Sequence, residues 1–406
     1  MLINLRNALM AGKRLPYDAE VEYLECAGTS SVFPYIDTGI VGTSDVTFTA
    51  SVYRSTNTTN ECAIGAYGSS LRYWASYFFS NTYFLGMGSK TNNSTNAPTE
   101  TWMLQELKAE NGNFNLYSNG SLVATCETST FDTDQNIYIG AMNSSGLARY
   151  FFRGRFGAVK IYQNGVLVRD FVPVRKGTVG YLYDRVSGKL FGNAGTGDFV
   201  LGPDVVPVEY LQSSGTQWIN TGIMPTSSTV VSGDFRRQTQ FSNWRGLFGS
   251  GTGASSKDCF CVGLRYNNSY VEGFVNGLAN KYIFTANNDR FSIEMTVPQI
   301  TVVRGENTYT ALTGKTSLGE SSRDISIFRA NSGDANLARP CAYYCYGFKI
   351  SNGTDLARSF RPVRVGTDAT SWEGAMMDVL ARRIYRNVGT GAFTYGNDLK
   401  YPIPSE

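Results

Sequence analysis

The chain has 406 residues, and 36 Lys and Arg against 33 Asp and Glu leave a net charge of +3, with no dense basic run to supply a nucleic-acid footprint. It contains no histidine, which removes His-dependent nucleophile triads, the usual general base at neutral pH and the commonest metal ligand. Only 17% of residues are charged while Gly (43), Tyr (25) and Phe (24) abound, a balance that fits a β-rich protein with many turns.

In chain order, Leu2, Leu5, Leu9 and Met10 fall at helical spacing, and Gly12 and Pro16 end the run. One short amphipathic helix cannot bury its own stripe, so residues 1–20 read as an attachment or oligomerisation segment. Met1 to Arg14 has no continuous apolar core, so no secretory signal is expected. No stretch approaches the roughly 20 apolar residues of a membrane span. From Val21 onward strands dominate. Val46 to Tyr53 alternates β-branched and aromatic residues with polar ones. Asn119-Gly120 and Asn164-Gly165 each punctuate a hairpin. Strands at this spacing, with turns between them, indicate a sandwich.

The chain then says the same thing again. Val21-Glu22-Tyr23-Leu24 returns as Val208-Glu209-Tyr210-Leu211, and Asp37-Thr38-Gly39-Ile40 as Asn220-Thr221-Gly222-Ile223. Phe171 to Arg175 is answered by Phe360 to Arg364, and Asn193 to Phe199 by Asn387 to Phe393. The pairs stand about 190 residues apart, far beyond the 20 to 50 residues of solenoid repeats. One domain is therefore duplicated: residues 21–202, a Pro-containing linker at 203–206, and residues 207–406.

The run Leu116 to Gly120, then Ile137 to Gly140, then Phe152 to Tyr162 resembles the later strands of concanavalin A-like, laminin-G-type jelly rolls. The framing motifs of both copies resemble a subgroup met in phage structural proteins and gut-bacterial surface proteins. The resemblance implies an all-β fold: two tandem jelly-roll β-sandwiches preceded by a short N-terminal helix. It also implies a virion-associated fibre, receptor-binding or decoration protein, assembled as a homo-oligomer beside other virion proteins. The alternatives are a purely structural coat protein or a surface adhesin. Glucan-cleaving proteins of this fold carry Glu-x-Asp-x-x-Glu, a triplet absent here, so no enzyme activity is expected.

A sandwich without catalytic chemistry binds through end loops or an exposed sheet face, and glycans ask for an aromatic platform with amides and guanidiniums. Such residues fall in the divergent middles: Arg72, Tyr73, Trp74 and Asn92 in the first copy, and Trp244, Arg245 and Asn268 in the second. Trp74 and Trp244 are expected to be exposed, and Tyr73, Tyr77, Tyr266 and Tyr270 to lean toward core. No cofactor is expected. Asp132-Thr133-Asp134 reads as a turn, with calcium as the alternative. The seven cysteines read as buried thiols, with zinc at Cys259/Cys261 and Cys341/Cys345 as the alternative. Gly195-Thr196-Gly197 and Gly389-Thr390-Gly391 read as tight turns. Arg175 and Arg364 read as structural arginines facing carbonyls or a carboxylate such as Asp184 and Asp378.

Overall fold

The computed structural model describes residues 15–27, 33–57, 60–69, 72–238, 244–265, 270–283, 289–335, 338–366, 370–400 and 403. The chain divides into Met1–Asp204 and Val205–Glu406. Among the described residues every regular element is a strand, so the all-β expectation holds. The helix expected near the N-terminus lies outside the described residues.

In the first unit one sheet runs Ser121–Glu127, Asn113–Ser118, Trp102–Glu110, Val46–Arg54, Gly154–Gln163, Val166–Lys176, Val179–Asp184 and Lys189–Phe191, each neighbour antiparallel. The other runs Lys90–Asn96, Thr82–Gly88, Arg72–Phe79, Glu61–Gly68, Asp132–Ile139 and Ile36–Thr43. The second unit repeats this order. Its first sheet runs Asn307–Leu312, Gln299–Arg304, Arg290–Met295, Thr229–Arg237, Tyr343–Asn352, Asp355–Gly366, Trp372–Asp378 and Arg383–Tyr385. Its other sheet runs Leu278–Ile283, Tyr270–Val275, Phe260–Arg265, Arg245–Gly251, Ser326–Ile327 and Ile219–Asn220.

Each pair of sheets closes over one apolar core, which makes each unit a β-sandwich. In the first, Phe48, Val52, Leu107 and Ile161 meet Ile64, Trp74, Phe78 and Leu85 from the opposite sheet. In the second, Phe235, Ile293 and Phe348 meet Phe248, Phe260, Val262 and Val271. Asn119-Gly120 and Asn164-Gly165 both have positive φ at the two central positions (51° and 82°, 50° and 73°), the primed turn that matches strand twist.

The repeated motifs make repeated hydrogen bonds. Asn193 Oδ1 accepts from Tyr35 N (3.1 Å) and Gly195 N (2.7 Å), and Asn387 Oδ1 accepts from Trp218 N (3.1 Å) and Gly389 N (2.8 Å). The Gly-Thr-Gly segments are the turns these asparagines close. A Cβ on Gly195 would lie 2.1 Å from Phe33 O, and one on Gly389 2.1 Å from Thr216 O. Thr38 and Thr221 likewise donate to Ile137 O (2.8 Å) and Ile325 O (2.7 Å).

Two expectations need correcting. Arg175 and Arg364 are structural, but each donates from Nε and Nη2 to both oxygens of one carboxylate, Asp204 (2.7 and 2.6 Å) and Asp398 (2.7 and 2.7 Å), not Asp184 and Asp378. Those two carboxylates accept the backbone N–H of Asp170 and Ser359 and sit near Arg169 (3.8 Å) and Arg358 (3.6 Å). The stretch read as a linker holds the strand Asp204–Pro207, which pairs with Asp355–Gly366. Val205 there joins the apolar cluster of Val363, Val365 and Ala375, so apolar burial claims the segment.

Asp132-Thr133-Asp134 opens the strand Asp132–Ile139. Asp134, at φ 54°, donates its backbone N–H to Asp132 Oδ1 (2.8 Å), an Asx turn at a register shift. Among the described residues no three His, Cys, Asp or Glu side chains converge on a metal position. The seven cysteines are buried and unbridged, and burial pushes the Cys126 thiol up to about 11.

Candidate functional site

Strand Arg72–Phe79 decides what each face of the first unit presents, because successive side chains alternate between faces. Trp74 and Phe78 enter the main core, and between them Ser76 donates to Gln105 Oε1 (2.9 Å). Tyr73, Ala75 and Tyr77 therefore face outward. Trp74 is 0% exposed and its indole N–H donates to Val46 O (3.0 Å). Gly42 clears space for it, since a Cβ there would meet Trp74 Cβ at 2.9 Å. This corrects two expectations: Trp74 is core, and Tyr73 belongs to the outer face; Tyr77, on that same side, is buried at 6% exposed.

That outer face carries a plate of five rings. Tyr67 and Tyr73 lie 4.5 Å apart between centroids, Tyr73 and Phe84 6.1 Å, Phe84 and Tyr77 5.2 Å, and Tyr77 and Tyr150 5.5 Å. The rings stand tilted or edge-on to one another (40° to 87°) over a small row: Gly65 pairs with Ala75, and Ala75 with Gly86. A Cβ on Gly86 would meet Tyr73 Cβ at 2.8 Å and the Phe84 ring at 3.1 Å. Cys62, Ala75, Tyr77 and Met142 form the buried underlayer. Tyr67, Tyr73 and Phe84 are half-buried, Tyr150 is 45% exposed and Tyr77 is buried, so four of the five rings are partly open to solvent. Burial, with Tyr67 and Tyr150 close by, raises the Tyr73 phenol above its ordinary value, and burial raises Tyr77 further. Both stay protonated hydroxyls at neutral pH, able to donate and accept. Arg149, exposed and paired with Met142, stands at the edge.

The other first-copy candidates lie off the plate. Arg72 donates to Asp132 O (2.8 Å) and sits 3.8 Å from Asp134. Asn92 pairs with inward-facing Leu85 and donates across to Thr125 O (2.7 Å), a strap between the sheets. In the second unit Trp244 lies on the outer side of its sheet but is half-buried, not exposed as expected. It lies edge-on to Phe274 (5.9 Å, 73°) over Gly263, whose added Cβ would sit 2.3 Å from the indole. It is half-buried among Cys259, Cys261 and Ala330. Arg245 is paired with inward-facing Leu264, so it faces away from Trp244. Asn268 and Tyr266 lie outside the described residues. Tyr67, Phe84 and Tyr150 escaped the reading of the sequence. Their signal was the small-residue row Gly65, Ala75 and Gly86, visible only once the strands are paired.

No family profile and no curated protein matches the chain. Among solved structures it is similar to a candidate carbohydrate-binding protein of Bacteroides ovatus (11% identity, 92% of this chain and 96% of that one, TM-score 0.34). It is also similar to mouse laminin α1 domains LG4-5 (11% identity, 86% and 93%, TM-score 0.30). A third is the Ruminococcus gnavus IT-sialidase CBM40 bound to α2,3 sialyllactose (15% identity, 36% and 88%, TM-score 0.24). At these TM-scores the likeness carries no argument, and the sandwich is read from the strand pairing itself.

Proposed function

We propose that the protein is a non-enzymatic glycan-binding protein that stacks sugar rings on the aromatic plate of its first unit. One observation carries this: five contiguous rings, four of them partly open to solvent, on the outer face of a sheet whose inner face already fills the core. Burying apolar surface explains Trp74 and Phe78, but not why Tyr67, Tyr73 and Tyr150 gather outside. Sugars present an apolar ring face and a hydroxyl rim, and tyrosines offer both complements. A purely structural role is the second reading, and the same experiment decides between them. The full-length protein is applied to a broad glycan array, and a bound glycan is titrated by calorimetry. At about 0.5–1.5 kcal/mol for each ring contact, Tyr73→Ala with Tyr150→Ala is expected to weaken binding about 5- to 140-fold. Silence on the array, or a double variant that binds as wild type does, rejects the plate.

The setting we propose is a phage or prophage virion, where residues 1–20 attach the protein to other virion proteins as a homo-oligomer and the plate meets a host-cell surface. The framing motifs of the two copies support this. Mass spectrometry of purified particles is expected to detect the chain, and particles that lack it reject the setting.

A further inference from the structure

The first sheet of the second unit carries a depression of about 230 Å³ on its outer face. It is made by a β-bulge: Asp234 pairs with Gly347 and Phe235 with Cys345, which leaves Tyr346 as the extra residue. Bulges of this kind re-aim side chains beside binding sites. Here the bulge places Tyr346 and Gly347 together at the opening. A Cβ on Gly347 would meet nothing nearer than Phe360 O at 3.7 Å and Arg361 Nη1 at 3.9 Å, so the missing side chain is what keeps the space open. The lining holds three cations, Arg290, Lys349 and Arg361, against one anion, Asp234. Arg290 is fixed in place, its Nη2 2.6 Å from Asp234 Oδ2 and its guanidinium 4.1 Å above the Tyr346 ring. Glu209, outside the lining, also acts on Arg290 and Tyr346.

The first unit supplies an internal control. It has the same bulge, with a register shift between Phe156 and Val159. Strand register places Gly157 where Tyr346 stands, Ser51 for Asp234, Trp102 for Arg290 and Val172 for Arg361. Lys349 is matched by Lys160 and Gly347 by Ala158, but Asp234, Arg290 and Arg361 have no charged counterpart, so framework needs do not explain the two arginines that the second copy sets around an open glycine.

We propose that this depression is a second binding site, selective for the carboxylate or phosphate of an acidic saccharide. Its volume lies below the roughly 300–1,000 Å³ of drug-sized sites, which suits a single sugar ring. Guanidiniums pair with planar carboxylates and with phosphates through two N–H donors. A pre-set arginine loses little freedom on binding. The site belongs to the second unit and the aromatic plate to the first, and either can fail without the other.

The test titrates the full-length protein with glucuronate, glucose 6-phosphate, methyl glucoside and inorganic phosphate, at low and high salt. At least one acidic sugar is expected to bind saturably and more weakly at high salt, with methyl glucoside and inorganic phosphate about tenfold weaker or worse. Whichever acidic sugar binds more tightly identifies carboxylate or phosphate as the recognised group. Gly347→Leu fills the space and Arg361→Glu reverses a charge; each is expected to cost about tenfold or more in affinity. A Cβ at position 347 meets only ordinary contacts, and a thermal melt of each variant establishes that it is folded before affinities are compared. Tyr73→Ala with Tyr150→Ala leaves this binding unchanged. The proposal is overturned if neither acidic sugar binds, if binding survives Gly347→Leu in the folded protein, or if inorganic phosphate binds as tightly as the sugars.

Discussion

Trp74→Ala is expected to lower the calorimetric melting temperature of the first unit by about 6–20 °C while leaving glycan affinity in the folded protein unchanged. Truncating a buried Trp costs about 3–5 kcal/mol in lost transfer energy and cavity, and each kcal/mol shifts a domain of this size by about 2–4 °C. Trp74 is 0% exposed, lies 5.6 Å from Phe48 across the core, and donates to Val46 O. Its loss therefore leaves both a cavity and a carbonyl without its donor. Tyr150→Ala, on the opposite face of the same sheet, is expected to do the reverse: a change below about 1 kcal/mol in stability, typical of surface positions, with weaker glycan binding. The crossed pattern is decisive. A Trp74→Ala protein that melts like wild type but no longer binds would reverse the parity of the strand and remove the plate.

That parity was the least legible feature of the sequence. Tyr73-Trp74-Ala75-Ser76-Tyr77-Phe78 alternates with period two, but both faces carry aromatic rings, so the pattern fixes a strand without saying which side is wet. The choice is made at long range, by Gly42 clearing space for the indole and by Gly86 leaving room for Tyr73 outside. Features set by neighbours in sequence were plain. The Asn-Gly hairpins, the strand alternation of Val46 to Tyr53 and the Gly-Thr-Gly turns each carry their own local chemistry. Features set by pairing were not. The partner of Arg175 is Asp204, in a segment whose two prolines suggest a linker, although Val205 and Pro207 are buried. The bulge at Tyr346 exists only relative to Asp234 on the neighbouring strand.

Arg54→Ala is expected to destabilise the first unit by up to about 3–5 kcal/mol, the cost of breaking a buried pair, with the half-exposed Arg153, 3.7 Å from Glu61 Oε1, left as partial compensation. Arg54 and Glu61 are both fully buried, joined Nε to Oε2 at 3.2 Å. The arginine also donates to Ser80 O (2.6 Å) and lies 4.8 Å over Phe78, while its Nη1 finds no acceptor among the described residues. Thr56 donates to Glu61 at 2.8 Å. Glu61→Gln keeps the shape and that hydrogen bond, so it is expected to cost less than Arg54→Ala. Arg54→Met with Glu61→Leu is expected to recover much of the loss, as buried pairs often tolerate apolar replacement. The pH dependence has a defined sign. Burial holds the Glu61 carboxyl above the ordinary range, outweighing the opposing pull of Thr56 and Arg54. A raised folded-state value means the folded protein keeps that proton more tightly than the unfolded chain. Its contribution is therefore present at low pH and fades as pH rises through the folded value. Removing Arg54 takes away an opposing cation and raises Glu61 further, so the deficit of Arg54→Ala relative to wild type is expected to be smaller at pH 5 than at pH 7. Urea melts at the two pH values measure it. In the second unit strand register puts Arg237 in the place of Arg54 and Arg245 in that of Glu61, so the deficit belongs to the first transition alone. A deficit equal at both pH values would show that Glu61 is not the group Arg54 compensates.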